Sequence, residues 1–468
     1  MNTSIDKNRL PQIAKIIVLG LLVVITASIV NRIFSSPFDF DESANLILSK
    51  VLQQTGSYSS YETVLDPIIT TGPTVIFPVT FALSFNNVFV PRLVILVYSL
   101  LLIYIIFSKI LQKTSAKALF LFLLCLTPYY FYFSSHVLGE VPALFLSLTG
   151  LYFLHNKKYF LSGLFLVLSI ITKNIFLISL APAIYLLYTQ RNELSRQNLI
   201  RFVIPIILII GSWEIYKLET LNFSLRSYYD NFYQLMRYNK SLTKAHPEYF
   251  LDRLDMLGGT FGVNGLLILF IMPVLSIYSF IKNKNYLIKS IALFVLVYLL
   301  YYFALGSTSW YRHFFPIFML FIILLSDMAS LIRLSKYSLI PIIIYFLTCL
   351  IFSTNNARYL SKQNLLPLYD QTGNKYLERA DLLDQQLAAA TYISSLEQKE
   401  RVAGIGWYNA PEISFLANRQ ILKTPTDKDV SYLISHPFGY DFDDAITNYP
   451  DKETVIDTPL YKIYKKND

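Results

Sequence analysis

Apolar segments close to the length of a membrane span recur through the first three quarters of this 468-residue chain and stop near Phe352. Crossing a bilayer takes roughly 20 apolar residues of helix. Hydrophobic residues make up 54% of the sequence and charged residues only 15%. The pattern predicts a polytopic α-helical membrane protein of about eleven transmembrane helices. The predicted spans are 13–33, 87–107, 117–133, 138–154, 159–174, 175–189, 200–217, 261–281, 287–305, 314–332 and 338–353.

Lys and Arg concentrate in alternate connections between these spans, which predicts that those connections lie in the cytoplasm. The other connections, including a long first loop at about 34–86, then face outward, and the odd number of spans puts the polar tail outside as well. We therefore predict a transmembrane domain at 1–354 and a small extracytoplasmic α/β domain at 355–468. In that tail, 376–396 has helical periodicity. "RVAGIG", "VSYLIS" and "LYKIYK" are typical of strands, and "APEISFLAN" is typical of a short helix.

The net charge of +9 could indicate a nucleic-acid partner, but the basic residues are spread over short connections rather than gathered in one patch. Membrane topology explains them better. Cys125 and Cys349 both lie in apolar runs, which favours packing over a disulfide or a thiolate metal site. The first apolar run has no small-residue cleavage signal, so we expect a retained helix in a multi-pass protein of the cell membrane.

Three carboxylates, Asp39, Asp41 and Glu42, stand within four residues just after the first span. Acids are costly near a bilayer, although loop carboxylates outside a span are often only solvated. The apolar spacing of Ser43 to Gln54 predicts an interfacial amphipathic helix that Ser43 could cap, with the carboxylates at its N-terminus. Arg92, at the outer end of the second span, is either a snorkelling anchor or an anion contact.

Four further ionisable residues fall on the same predicted face. Glu140 lies in the short outward turn after the third span, Lys173 where the fifth span emerges, and Arg312 with His313 between the ninth and tenth. Each has an ordinary interpretation as a helix start, a snorkelling lysine or part of an interfacial belt. Acids opposite cations at a membrane surface nevertheless suit a reaction between a hydroxyl and a lipid-linked phosphate. A carboxylate can accept the hydroxyl proton, and the cations can neutralise the departing phosphate.

The motifs "FDFDES", "TTGPTVIFP", "SSHVLGEVPALF", "ITKNIFLI" and "WYRHFFPIFMLFIILLSD" together resemble the GT-C glycosyltransferases. The similar branch contains the protein O-mannosyltransferases, the lipid A aminoarabinose transferase and the ArnT-like and RgtA-like core-sugar transferases. The resemblance implies an integral membrane enzyme that moves a sugar, usually with inversion, from a polyprenyl-phosphate carrier to an extracytoplasmic glycan, lipid or protein. Membrane lipid is the other expected partner, and no nucleic acid is expected.

The resemblance also implies roles for the charged residues. The catalytic set is Asp41, Glu42 and Glu140. We expect Asp39, Arg92, Lys173, Arg312 and His313 to bind substrate. The resemblance itself puts Lys173 and Arg312 on the carrier phosphate, whereas His313 stands where the family commonly has an aromatic residue. Two departures from the family pattern stand out. Thr71 to Thr74 replace a proline-rich element of the first loop, and Asp39 adds a third acid, so the base could be Asp39 instead of Asp41.

No cofactor is assigned from the sequence. The oligosaccharyltransferase branch uses a divalent metal held by acids, and Asp39, Asp41 and Glu140 could supply such ligands. A carrier or flippase for a lipid-linked sugar is the main alternative function. It requires ionisable residues at mid-bilayer depth, for which Glu214 and Asp327 are the acids placed inside spans. A membrane scaffold is a third reading, and it leaves the acid-rich first loop unexplained.

Overall fold

The structure is a computed structural model that describes most of the helical domain and part of the tail. The described residues are 9–58, 71–127, 130–220, 269–304, 315–331, 343–345, 381–404, 410–422, 430–435 and 452–466, with isolated positions between 222 and 229.

Helices dominate the described chain. In order they are α1 (Arg9–Ser35), α2 (Phe40–Thr55), α3 (Pro73–Leu83), α4 (Val90–Ile105), α5 (Thr114–Leu126), α6 (Tyr130–Ser135), α7 (Glu140–His155), α8 (Tyr159–Thr172), α9 (Leu180–Thr189), α10 (Arg196–Thr220), α11 (Leu269–Lys282), α12 (Tyr286–Ala304), α13 (Phe315–Leu331), α14 (Leu382–Ser395) and α15 (Pro411–Ala417). A π-helical turn at Ile106–Ile110 extends α4, and a 3₁₀ segment at Asn174–Ser179 leads into α9.

Four helices of the described ranges are long and apolar enough to cross a membrane: Lys15–Ser35, Val90–Ile110, Arg196–Thr220 and Tyr286–Phe303. Six more apolar helices are shorter: Pro73–Leu83, Thr114–Leu126, Tyr159–Thr172, Asn174–Thr189, Leu269–Lys282 and Phe315–Ala329. Many large apolar side chains are exposed on their outer surfaces, as suits contact with lipid. The predicted last span, 338–353, lies almost wholly outside the described residues.

α7 lies at the centre of the helical domain. It packs against α4, α8, α9, α12 and α13, and most of its side chains are buried. A helix that is apolar all round is expected at such a position. Glu140 is its first residue, so the central helix presents a carboxylate at the end where the first loop lies. We call this end of the domain the first-loop side.

α3 is a helix that the sequence did not lead us to predict, because two prolines fall within eleven residues. Pro73 occupies the first turn, where the missing N–H costs nothing. Pro78 lies in the interior and leaves the carbonyl of Thr74, four residues earlier, without its helical donor. The hydroxyl of Tyr98 on α4 donates to that carbonyl at 2.9 Å. A side chain from the neighbouring span thus stabilises the proline-containing helix.

The predicted span 117–133 is interrupted rather than continuous. α5 ends at Leu126, and Thr127 has extended backbone angles, φ −68° and ψ 121°. The following residue in the sequence is Pro128. A proline disfavours helical angles at the residue before it, which explains the break. α6 then forms a separate short helix.

The described part of the tail forms one five-stranded sheet. Its strands are β1 (Arg401–Gly404), β2 (Ile421–Leu422), β3 (Val430–Ser435), β4 (Lys452–Asp457) and β5 (Lys462–Lys466). The order is β2-β1-β3-β5-β4, parallel from β2 to β3 and antiparallel from β3 to β4. α14 and α15 pack on it over a core of its own. The sequence predicted β1, β3, β5 and both helices, and it missed β2 and β4. The predicted domain boundary near 354 lies outside the described residues.

Candidate active site

The acid cluster lies inside the start of α2, not before it. Asp39 is the N-cap residue with extended angles, φ −86° and ψ 159°, and the helix begins at Phe40. The backbone N–H of Ser43 donates to the Asp39 carbonyl at 2.8 Å. The prediction that Ser43 caps this helix is therefore wrong, because Ser43 already belongs to the first turn. Asp41 and Glu42 occupy that turn, where the helix dipole favours negative charge.

Glu42 and Arg92 form a buried ion pair, and both side chains are 0% exposed. The guanidinium meets the carboxylate in a two-bond fork, Nε to Oε1 at 2.8 Å and Nη2 to Oε2 at 2.6 Å. The same guanidinium donates to the carbonyls of Ile33, Ser36 and Pro37 at 2.8–2.9 Å. Arg92 thereby ties the end of α1 and the start of α2 to the start of α4.

The charges in this pair explain the ionisation of Glu42. Burial raises the pKa of the Glu42 carboxyl, but the Arg92 guanidinium and the N–H of Val137, at 2.9 Å, outweigh it and hold that pKa below its usual value. A fully buried pair with every guanidinium nitrogen engaged is a structural brace. Neither side chain reaches the protein surface. The sequence assignments of Glu42 to catalysis and of Arg92 to substrate binding stay predictions.

Asp39 is also buried and accepts a hydrogen bond from the hydroxyl of Tyr132 on α6. The Tyr132 ring packs against the imidazole of His136, with ring centroids 4.4 Å apart. His136 lies with its Nε2 3.2 Å from the Pro37 carbonyl. Burial lowers the pKa of His136 to about 3, so this imidazole is neutral at physiological pH. Residues 36–42, which we call the acid loop, are thus packed against α6 by neutral groups.

Asp41 differs from its two neighbours because its side chain is partly exposed. Asn45, one turn later, donates to the Val137 carbonyl at 2.8 Å and pairs with Thr71 through 3.0 and 3.1 Å bonds. The N–H and the carbonyl of Val137 are therefore both bonded to side chains of α2, Glu42 and Asn45. Asp41 is held on a helix with a fixed position relative to the turn that leads into Glu140.

Glu140 and Lys173 meet across the ends of α7 and α8. The Lys173 Nζ lies 2.9 Å from Glu140 Oε1, with the side chains 28% and 8% exposed. Glu140 Oε2 is buried and accepts no hydrogen bond from any described residue. A buried carboxylate oxygen normally accepts a hydrogen bond, so Glu140 Oε2 is available to accept one from a bound molecule. The topology predicted that these two residues share a face, and the structure joins them directly.

Two glycines allow the first loop to approach this pair. A Cβ on Gly72 would overlap the backbone carbonyl of Ile171 near the end of α8, so only glycine fits there. The Gly72 N–H donates to the Thr172 carbonyl at 2.9 Å. A Cβ on Gly139 would lie 2.9 Å from a methyl of Thr71. The segment Thr71–Thr74 is thus packed directly against the backbone of Ile171 and Thr172, the two residues before Lys173.

The sequence also singled out four other ionisable residues, Arg312, His313, Glu214 and Asp327. Arg312 and His313 fall outside the described residues. Within the described ranges, no three His, Cys, Asp or Glu side chains come together in a group that could hold a metal. Glu214 pairs with Lys217 at 2.6 Å on the first-loop side of α10, and Asp327 accepts from an asparagine at the opposite end of the domain.

The tail domain reaches the acid loop through Gln386 on α14, a contact that the sequence did not predict. Its side-chain amide accepts from the Phe38 N–H and donates to the Phe38 carbonyl, each at 2.8 Å. The Phe38 ring lies 5.8 Å from that of Phe415 on α15 and 4.2 Å from the Arg92 guanidinium. The residue before the acid cluster is therefore held both by the tail and by Arg92 of the helical region.

The sequence matches no protein-family model, and no curated protein matches it. Solved structures do match. The crystal structure of ArnT from Cupriavidus metallidurans bound to undecaprenyl phosphate has a TM-score of 0.63 at 12% identity, covering 96% of this chain and 97% of that chain. The apo structure of the same protein has a TM-score of 0.57 at 13% identity, with the same coverage. The chain therefore has the fold of these ArnT structures, the GT-C fold that its motifs led us to expect.

Proposed function

We propose that this protein is a membrane glycosyltransferase that moves a sugar from a polyprenyl-phosphate carrier, with inversion, to a hydroxyl of an extracytoplasmic acceptor. The acceptor is a glycan, lipid or protein of the cell envelope. Two lines support this function. One of the ArnT structures with this fold is bound to undecaprenyl phosphate. The described site also combines a partly exposed acid with an acid–lysine pair at the end of the domain where the first loop lies.

The observation that carries the proposal is the Glu140–Lys173 pair. Its lysine is 28% exposed and its carboxylate keeps one buried oxygen with no donor among the described residues. A phosphate can attract the ammonium of Lys173 through charge-assisted hydrogen bonds. The open oxygen of Glu140 can accept a hydrogen bond from a substrate hydroxyl. A cation and an acceptor atom side by side suit a reaction in which a phosphate leaves and a hydroxyl attacks.

Asp41 is the residue that we assign as general base. Asp39 and Glu42 are both buried, so a substrate hydroxyl reaches neither carboxylate in this arrangement. Asp41 alone of the three is partly exposed. As the acceptor oxygen attacks the anomeric carbon, its proton passes to a carboxylate oxygen of Asp41 while the bond to the carrier phosphate breaks. General base catalysis of this kind contributes about 10²–10⁴ in rate.

The departing phosphate carries the negative charge that develops in the reaction. Lys173 is the cation within the described site that can stabilise it, and the family resemblance adds Arg312. Among the described residues, Asp39, Asp41 and Glu140 do not come together as a three-ligand group. Glu42 and Arg92 are assigned to holding α2 in position.

The experiment compares Asp41→Asn with Asp39→Asn in purified protein reconstituted into proteoliposomes. Radiolabelled polyprenyl-phosphate sugars are the donors, and membrane extracts of a deletion strain supply acceptors. We expect Asp41→Asn to lower kcat at least about 100-fold while the protein inserts and elutes normally. Asp39→Asn should retain most of the activity, because its amide can still accept from Tyr132.

Three results would count against these assignments. Equal loss in both variants would argue that Asp39 and Asp41 share the role. Full activity in Asp41→Asn would remove it as the base. Translocation of a labelled lipid-linked sugar across the bilayer, without transfer, would favour the flippase alternative.

A further inference from the structure

The polar contact between the tail and the acid loop uses the backbone rather than side chains of the loop. The backbone N–H and C=O of Phe38 are both bonded to one side-chain amide, that of Gln386, which is 1% exposed. Such a two-bond arrangement fixes the direction of the chain as well as its position. Asp39 follows immediately, and its extended angles set where α2 begins.

The rest of the contact supports this bond pair. The Phe38 ring packs against Phe415, and the Lys50 ammonium lies 5.5 Å from the centre of the same Phe415 ring. Burial lowers the pKa of Lys50, which lies on α2 facing the tail. The start of α2 and its third turn are therefore both covered by the tail domain.

We propose that Gln386 is a positioning residue for the proposed transfer reaction: from the tail domain it holds the Phe38 backbone, and thereby the Asp41 carboxylate, in the geometry that the reaction needs. The proposal rests on the proposed function. It means that the tail domain affects the rate of sugar transfer although it supplies no reacting group. Asp41 is three residues from Phe38 on a helix whose first turn is set by the Asp39 conformation. A release of Phe38 would let that turn fray, because helix ends depend on their flanking contacts.

The chain offers a matched control in the neighbouring residue. Gln385 is also buried on α14, but its side chain bonds within the tail, accepting from the Leu460 N–H at 3.0 Å and donating to Asp381 at 2.7 Å. Gln385→Leu and Gln386→Leu therefore remove similar side chains from one helix, and only the second removes the contact with Phe38.

The test measures transfer kinetics and hydrogen exchange on the full-length protein in nanodiscs. For Gln386→Leu we expect kcat to fall about 10- to 100-fold, with the donor KM changing less than about threefold, since a small misplacement of a catalytic group has this effect on rate. The peptide covering 36–42 should exchange its amides faster in this variant. Gln385→Leu should leave both readouts near those of the unchanged protein.

Gln386→Glu provides a rescue that depends on pH. A protonated carboxyl can accept from Phe38 and donate to it as the amide does, whereas a carboxylate meets the Phe38 carbonyl with like charge. Its kcat relative to the unchanged protein should rise as pH falls. Among the described residues, the titratable and charged groups on the tail side are Tyr461, whose hydroxyl is 3.4 Å from the Gln386 amide, and Glu412, which accepts from Tyr461. On the side of Phe38 they are Asp39, Lys50 and Arg92. They are the same in both proteins, so the ratio of the two kcat values isolates the substituted side chain.

The proposal is overturned if the kcat of Gln386→Leu stays within about threefold of that of the unchanged protein. It is also overturned if Gln385→Leu loses as much kcat as Gln386→Leu, because the loss would then reflect only the stability of the tail. Unchanged exchange of 36–42 in Gln386→Leu would overturn it as well. Exchange does not depend on sugar transfer. A protein that transfers no sugar while Gln386→Leu still loosens 36–42 would therefore refute the proposed function and leave the Gln386 bond to Phe38 established.

Discussion

Replacement of Arg92 tests how strongly the acid loop depends on the buried ion pair. In Arg92→Leu the Glu42 carboxylate stays buried with the Val137 N–H as its remaining partner from the contacts described above. The carbonyls of Ile33, Ser36 and Pro37 lose the guanidinium as donor, and of these the Pro37 carbonyl keeps His136 Nε2 at 3.2 Å. Removing one partner of a buried pair costs about 3–5 kcal/mol. We expect the loss to lie toward the upper end of that range, because the Ile33 and Ser36 carbonyls are left without this donor and each unsatisfied buried group adds its own cost.

The measurement is the free energy of unfolding in mixed micelles, followed by circular dichroism, for Arg92→Leu, Glu42→Met and the double variant. An apolar pair is often nearly as stable as the ion pair that it replaces. We therefore expect the double variant to lose less than Arg92→Leu, with a coupling of about 2 kcal/mol or more. Additive single effects, or a loss below about 1 kcal/mol for Arg92→Leu, would refute a bracing role.

The pH dependence gives an independent check of the same pair. The folded protein holds the pKa of Glu42 below its ordinary value of 4.5, so the unfolded chain binds more protons there. The stability from this group is fully present above the ordinary value and is lost as pH falls through the lowered folded value. Without Arg92, burial alone raises that pKa. The gap in stability between the unchanged protein and Arg92→Leu should narrow as pH is lowered, and a constant gap would contradict the assignment.

Three shorter predictions follow from other contacts. Gly72→Ala should destabilise the protein by about 1–3 kcal/mol or prevent its insertion, since the added Cβ would overlap the backbone of α8. Gly20 has open space around it, so Gly20→Ala should insert and melt at the same temperature as the unchanged protein. Lys173→Met should raise the donor KM at least about tenfold in a titration of the lipid-linked sugar, with Glu140→Gln giving a smaller effect; an unchanged KM would exclude contact with the phosphate. Tyr98→Phe should cost about 1–2 kcal/mol of unfolding free energy by leaving a carbonyl of the proline-containing helix unpaired, and a neutral result would show that this carbonyl finds another donor.

The sequence predicted the parts of the site that depend on topology. Alternating basic connections placed Glu140 and Lys173 on one face although 33 positions separate them, and the structure joins them at 2.9 Å. The GT-C fold was predicted from the order of five loose motifs, and the ArnT structures confirm it at 12–13% identity. Hydropathy and the distribution of charge are properties of whole spans, so they predict topology even when individual contacts are unknown.

Contacts between distant polar residues could not be predicted in this way. An arginine at the end of a span is commonly a snorkelling anchor. Arg92 instead turns inward to Glu42, 50 positions earlier, and the one signal was a charged residue in a chain poor in charge. The contact of Gln386 with Phe38 has even less of a signal in the sequence. A glutamine in an amphipathic helix is usually solvated, and Phe38 lies 348 positions away. Such pairings depend on how the domains pack.

The double attachment of Val137 to α2 has a consequence for how the protein responds to its membrane. Spans accommodate bilayers of different thickness by tilting, and each tilts according to its own length and packing. Because Glu42 and Asn45 hold both polar groups of Val137, α2 and the turn before Glu140 must move together when the spans tilt. The separation of Asp41 and Glu140 is thereby set by hydrogen bonds within the protein, and it should stay constant from thin bilayers to thick ones.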